Sequence, residues 1–262
     1  MNRRYFFIGI PSILVVALVT LWSATGIQGR FDRYLERQER AHVVLPSVQS
    51  GTTKPLIDQS LSSYSSGSSG SSFSSGINWD VPFTPQAPFA LWDQLHEEAC
   101  EEASVLMVLK YFRGERIASP EDAESAIQSL VRRSSELGFP VDLTAEQTRT
   151  LILDQDPSLK VDLLRNPSVE ALKDDLVRGA LIVVPAAGRE LRNPYFRRPG
   201  PRYHMLVLRG YTADGYVITN DPGTKRGEQF VYRWERLMEA MHDWNNGEVE
   251  TGAKVAIVVR AK

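Results

Sequence analysis

Apolar and polar positions divide the chain into segments of different character. From Tyr5 to about Trp22 the chain is apolar without interruption, directly after Arg3 and Arg4. A run of that length rises about 27 Å as a helix, just enough to cross a bilayer. The readings open are an uncleaved signal-anchor and a cleaved signal peptide with "SATG" as its small-residue site; a buried helix of a soluble domain fits least, because nothing amphipathic breaks the run. Residues 28–42, "QGRFDRYLERQERAH", are polar and charged and predict a short helix leaving the membrane. From Ser60 to Gly76 serine and glycine dominate, a composition that builds no core and behaves as a flexible tether. A mucin-like stalk would carry proline, which this tract lacks. The expected organisation is 1–26 signal-anchor or signal peptide, 27–76 polar juxtamembrane segment and linker, and 77–262 globular domain.

Within the domain the punctuation is legible. "VPFTPQAPF" (81–89) reads as extended, and Cys100–Phe112 as a helix with strong formers. Ser119-Pro120 starts a second helix, with serine as cap and proline in the first turn, running to about Leu137 and stopped by Gly138. Thr144 to Gln147 forms a capping box for a third helix, ended before Pro157. Ser168 caps a fourth, closed by Gly179. Then strands take over: 180–186, 204–211, 215–221, 229–234 and 254–260, with a helix of about Glu235–Trp244 between the last two. Helices first and an antiparallel sheet after them make an α+β fold.

Composition narrows the partners. A net charge of −2 and no basic run longer than Arg197-Arg198 give no pull toward nucleic acid. The single cysteine forms no intrachain disulfide and rules out cysteine-rich zinc sites, and the four histidines show no metal spacing, so neither metal nor cofactor is expected. Arg3 and Arg4 favour a cytoplasmic N-terminus, although Arg30, Arg33, Arg37 and Arg40 lie on the far side of the run. With a tether of this composition, the domain is expected outside the cytoplasm, anchored by a single pass.

The candidate chemistry centres on Cys100, at a helix start where free N–H groups and the dipole favour a thiolate. His204 opens a strand, and Asn220 and Asp221 end the next one. A short hairpin brings the end of the second strand to the start of the first, so one of the two can orient the histidine. Each residue alone has an ordinary reading: a small buried thiol, a structural histidine, a turn. Their conjunction is what points to a thiol hydrolase.

Together, "VPFTPQAP", the tryptophan of "LWD", "CEEAS" before an apolar helix, "YHMLVLRGY" and "ITNDPGT" resemble the bacteriocin-processing (double-glycine leader) peptidase-like family of papain-type cysteine peptidases. The resemblance covers about residues 78–262. It implies a papain-like fold, with a helical half and a twisted antiparallel sheet. It also implies Cys100 as nucleophile, His204 as general base and acid, Asp221 as orienter, and a glutamine sharing an oxyanion hole with the Cys100 N–H. Gln86, in the matching extended segment, is preferred over Gln94, six residues before Cys100. The implied substrate is a peptide or protein. Acyl or peptidyl transfer on the same triad, and an inactive peptide-binding module, stay open as alternatives.

The sequence departs from the family where glycine commonly follows the cysteine; here Glu101 stands. Glu97, Glu98, Glu101 and Glu102 crowd the thiol, and unpaired carboxylates would raise its pKa. At a helix start the same acids favour the dipole, and a buried one can bond backbone near the site. The loop "RELRNPYFRRPGPRYH" (189–204) is expected to shape a cleft, and "MHDWNN" (241–246) to pack on the domain.

Overall fold

The computed structural model describes residues 27–50 and 76–262. The apolar run Tyr5–Trp22 and nearly all of the Ser/Gly tract lie outside the described residues. Among the described residues no helix is long and apolar enough to cross a membrane. The chain divides into two compact units between Val43 and Val44. The first contains α1, Ile27–Ala41, a charged helix with an Arg40–Glu36 pair at 3.4 Å.

In the second unit the helices form largely where their caps stand. After the short α2 (Gln94–Glu97) comes α3 (Cys100–Phe112), with α4 (Pro120–Glu136) capped by Ser119 and α5 (Ala145–Gln155) opened by the Thr144–Gln147 capping box. Ser168 caps α6 (Val169–Val177). Gly138 and Gly179, with φ of 75° and 83°, leave α4 and α6 through a backbone shape that glycine adopts without strain.

Seven strands make one antiparallel sheet. They are β1 (Ile77–Asn78), β2 (Leu159–Arg165), β3 (Leu181–Ala187), β4 (Tyr203–Tyr211), β5 (Tyr216–Asn220), β6 (Phe230–Arg233) and β7 (Val255–Ala261). The order is β2-β7-β3-β4-β5-β6, and β1 pairs with the far end of β4. Two of these elements go beyond the sequence reading: β2, and the two-residue β1. The helix predicted for Glu235–Trp244 is α7, Trp234–Ala240, and it ends earlier because Met241 leaves in an extended conformation.

β3 and β4 are buried along their whole length, the apolar pattern of strands covered on both faces. α3 is also buried almost all round, from Cys100 through Leu109, and it packs against β4. Pairing between β5 and β4 reaches only from Tyr211 to Val207. The start of β4, Tyr203 to Leu206, therefore has no β5 neighbour. The Met205 carbonyl is satisfied instead by α3, whose Ser104 hydroxyl donates to it at 3.2 Å. The helix that carries Cys100 thus fills the gap beside the strand that carries His204.

At the other end of β4, Arg209 is a buried cation at 1% exposure. Its guanidinium donates to Asn78 Oδ1 at 3.0 Å, to Asn220 Oδ1 at 3.1 Å and to the Val81 carbonyl at 3.3 Å. Burial pulls its pKa down to about 10. This network pins the extended segment 78–82 to the sheet. Gly210 is required there, because a Cβ would lie 2.0 Å from the Ile77 carbonyl oxygen.

Candidate active site

His204 and Asp221 meet. Nε2 of the histidine lies 2.8 Å from Asp221 Oδ1, with both side chains buried. A carboxylate only accepts, so Nε2 carries the proton, and in the neutral ring Nδ1 holds the lone pair. That Nδ1 is buried and has no hydrogen-bond partner among the described residues. Phe196 stacks edge-on against the imidazole with centroids 5.1 Å apart.

Asp221 is held by four donors. Besides His204 they are the Gly223 N–H at 3.0 Å, Asn193 Nδ2 at 2.9 Å and the Tyr232 hydroxyl. Burial alone would raise its pKa, but His204 and the other donors hold the carboxyl below its ordinary range. Asn220 points elsewhere, because successive strand residues face opposite ways. Its amide donates to the carbonyls of Val81 and Pro82 at 3.2 and 3.1 Å. Of the two candidate orienters, Asp221 is the one in contact with His204.

Cys100 begins α3 behind Ala99, which supplies no side-chain cap. Its thiol donates to Glu101 Oε2 at 3.0 Å, and no hydrogen bond joins it to His204. Burial pushes the Cys100 thiol well up, and the Glu101 charge and hydrogen bond push it further, with Glu102 adding to them. The Met205 backbone, one residue past His204, acts in the opposite sense. The helix-start position by itself favoured a thiolate; in this state desolvation and the neighbouring acids outweigh it.

The four acids around Cys100 divide into two kinds. Glu97 and Glu98 are exposed, whereas Glu101 and Glu102 are buried at 1% and 3% exposure. Glu101 Oε1 accepts the Leu143 N–H at 3.0 Å, and Glu102 Oε1 accepts the Ser134 hydroxyl at 3.0 Å. Burial raises Glu101 well above the usual range and Glu102 to about 7.

Gln86 is buried beside the site, with its N–H donating to the Pro222 carbonyl just past Asp221. Its side-chain amide donates to the His96 carbonyl at 2.8 Å and the Glu97 carbonyl at 3.2 Å. In this state Gln86 braces the turn leading into Cys100. Gln94 is exposed at the first position of α2. The same turn is held by His96, set between Asp93 at 2.7 Å and Glu124 at 2.9 Å.

A cavity of about 710 Å³ opens beside these residues. Gln86, Glu98 and Asp142 line it, together with much of the 195–203 loop and Trp244. Gly223 also lines it, directly against the imidazole: a Cβ there would lie 2.9 Å from His204 Cε1 and 2.7 Å from Phe196 Cε1. The long loop before His204 therefore shapes a cleft, and Trp244 adds a wall while packing on Tyr203 at 5.4 Å. Burial and the neighbouring Asp142 and Glu97 charges raise Glu98; burial raises Asp142.

Helices laid on an antiparallel sheet, with a thiol on a helix start, a histidine on one strand and an aspartate just past the end of the next, form the frame of a C39-like peptidase fold. Residues 79–246 match the model of the Peptidase_C39 like family, and the chain belongs to that family. No curated protein matches the sequence. Among solved structures, a protein from Bacillus anthracis assigned as a C39-like peptidase is 16% identical, covering 70% of this chain and 96% of its own, with a TM-score of 0.47.

Asn193, Tyr232, Gly223 and Phe196 are site residues that sequence reasoning missed. The "NP" of the 189–204 loop and the glycine after Asp221-Pro222 carry only turn signals. Nothing local marks them as neighbours of His204.

Proposed function

We propose that this protein is a cysteine peptidase that cleaves a peptide or amide bond through Cys100, His204 and Asp221. The observation that carries this reading is the state of His204. Asp221 fixes one ring nitrogen, and the other is a buried lone pair without a partner, on the strand against which the Cys100 helix packs. Leaving a buried polar atom unsatisfied costs about 1–3 kcal/mol, a cost a proton-accepting role explains.

In the proposed cycle the thiol turns to His204 Nδ1 and gives it the proton. The thiolate attacks the carbonyl carbon, and the Cys100 N–H and Gln86 amide hold the oxyanion, Gln86 releasing the longer of its two carbonyl bonds. Imidazolium protonates the leaving amine, and water attacks the thioester with His204 as base. Bacteriocin-type leader peptides are one substrate class the resemblance implies. The run Tyr5–Trp22 supports tethering to a membrane, with the 77–262 domain on the extracytoplasmic side.

The bond from Cys100 to Glu101 favours a second reading, a peptide-binding module that keeps the cleft without the chemistry. The test is hydrolysis of a peptide library by the purified protein, beside C100A and H204A. Loss of about 10²–10⁴-fold in both variants supports the peptidase. Cleavage unchanged in C100A sinks it, and peptide binding without cleavage by the native protein supports the module. Added amines that divert the acyl group would mark transfer in place of hydrolysis.

A further inference from the structure

We propose that Glu101 is a positioning residue that latches the nucleophile: its carboxyl holds the Cys100 thiol in a protonated resting form, and the site becomes reactive when the sulfur leaves Oε2 for His204 Nδ1. This rests on the reading of Cys100 as the nucleophile. Four observations support it. The sulfur lies 3.0 Å from Glu101 Oε2, while His204 Nδ1 lacks any partner. Glu101 cannot readily swing away, because Oε1 is held by the Leu143 N–H at 3.0 Å. Both residues are buried, so water does not compete for either group. No cation bonds Glu101 among the described residues, so the thiol is the only side-chain donor it has.

The anchor of the latch belongs to the cleft wall. Leu143 gives its N–H to Glu101 and its carbonyl to the Tyr203 hydroxyl at 2.8 Å, and the preceding residue, Asp142, lines the cavity. A peptide that shifts the Asp142–Leu143 segment would loosen the carboxyl that holds the sulfur. On release the proton leaves Sγ for Nδ1, giving thiolate and imidazolium, and the protonation of Glu101 is unchanged. The titratable groups facing the pair are Glu102 on α3, Tyr203 on β4, and Asp243 beyond Tyr203.

The test uses Glu101→Gln, which keeps an oxygen for Leu143 and turns an amide N–H₂ toward the sulfur. Because the chain has one cysteine, alkylation by iodoacetamide and the infrared S–H stretch both report Cys100 alone. The expected result is an alkylation rate at pH 7 higher by about tenfold or more, a midpoint about one pH unit lower, and an S–H band moved to higher frequency. An unchanged midpoint and band overturn the latch. If the variant fails to fold, the native protein still decides: an S–H band at the frequency of an unbonded thiol overturns it, and a band shifted to low frequency supports it. Peptide hydrolysis separates this from the functional reading. Activity lost in H204A with a silent E101Q removes the latch and keeps the peptidase; a shifted E101Q titration without any hydrolysis keeps the latch and removes the peptidase.

Discussion

Replacing Asp221 by alanine removes the acceptor of four donors at once: His204 Nε2, the Gly223 N–H, Asn193 Nδ2 and the Tyr232 hydroxyl. Asn193 still gives an N–H to the Tyr232 oxygen at 2.8 Å, but the Tyr232 hydroxyl loses the acceptor of its own hydrogen. Three donors are left stranded in a buried site: His204 Nε2, Gly223 N and the Tyr232 hydroxyl. At about 1–3 kcal/mol each, D221A should destabilise the fold by about 3–9 kcal/mol. D221N keeps one oxygen for His204 and Gly223 and should lose only about 1–3 kcal/mol. Urea unfolding at pH 7 measures both. The pH dependence adds a check. The folded carboxyl lies below its ordinary value of 3.8, so the folded state binds this proton less readily than the unfolded chain. The stabilisation from Asp221 is therefore complete above 3.8 and is lost as pH falls through the lower folded value. The gap between wild type and D221N should close in acid. A D221A variant within about 0.5 kcal/mol of wild type, near the noise of surface substitutions, would refute the cradle described here. A gap that widens in acid would refute the charge assigned to it.

Gly223→Ala sets a methyl against Phe196 and His204 and should cost about 1–3 kcal/mol in thermal or urea unfolding, together with hydrolysis if the peptidase reading holds. Glu102 has its pKa raised from 4.5 to about 7, so its folded state holds the proton more tightly than the unfolded chain does. Stability should fall as pH rises from 4.5 to about 7 and level off above, and E102Q should remove that slope, gaining up to about 3 kcal/mol at pH 8. Arg209→Met strands chiefly Asn78 Oδ1, because Asn220 Oδ1 still receives the Gln229 N–H; unfolding should show a loss of about 1–3 kcal/mol.

Local chemistry made much of this fold legible. Ser119, Thr144 and Ser168 cap helices because each offers a short oxygen to an orphan N–H, a rule that needs no tertiary knowledge. The β4–β5 hairpin placed Asp221 near His204 for the same reason: a short turn between strands leaves little freedom in pairing. β2 was less plain because Lys160, Asp162 and Arg165 dilute it, although Leu159, Val161 and Leu163 alternate as a strand should. The burial of Glu101 and Glu102 ran against charge counting. A signal existed, since the "ASVLMVL" that follows has no polar face, and a helix buried all round buries its first turn too. That Asn193 and Tyr232 close on Asp221 depends on a loop and a third strand meeting in space, and no spacing encodes it.

The early end of β5 has a consequence for how the site could arise or be abolished. A sheet gains from every completed rung, but carrying the register past Val207 and Asn220 would set Pro222, which has no N–H to give, opposite Met205. The gap admits a helix end in place of a strand, bringing a thiol against the sheet's own backbone. Two more residues of pairing, with a residue other than proline at 222, would seal that notch and displace α3. The capacity for chemistry here would be traded away for a more complete β-sheet.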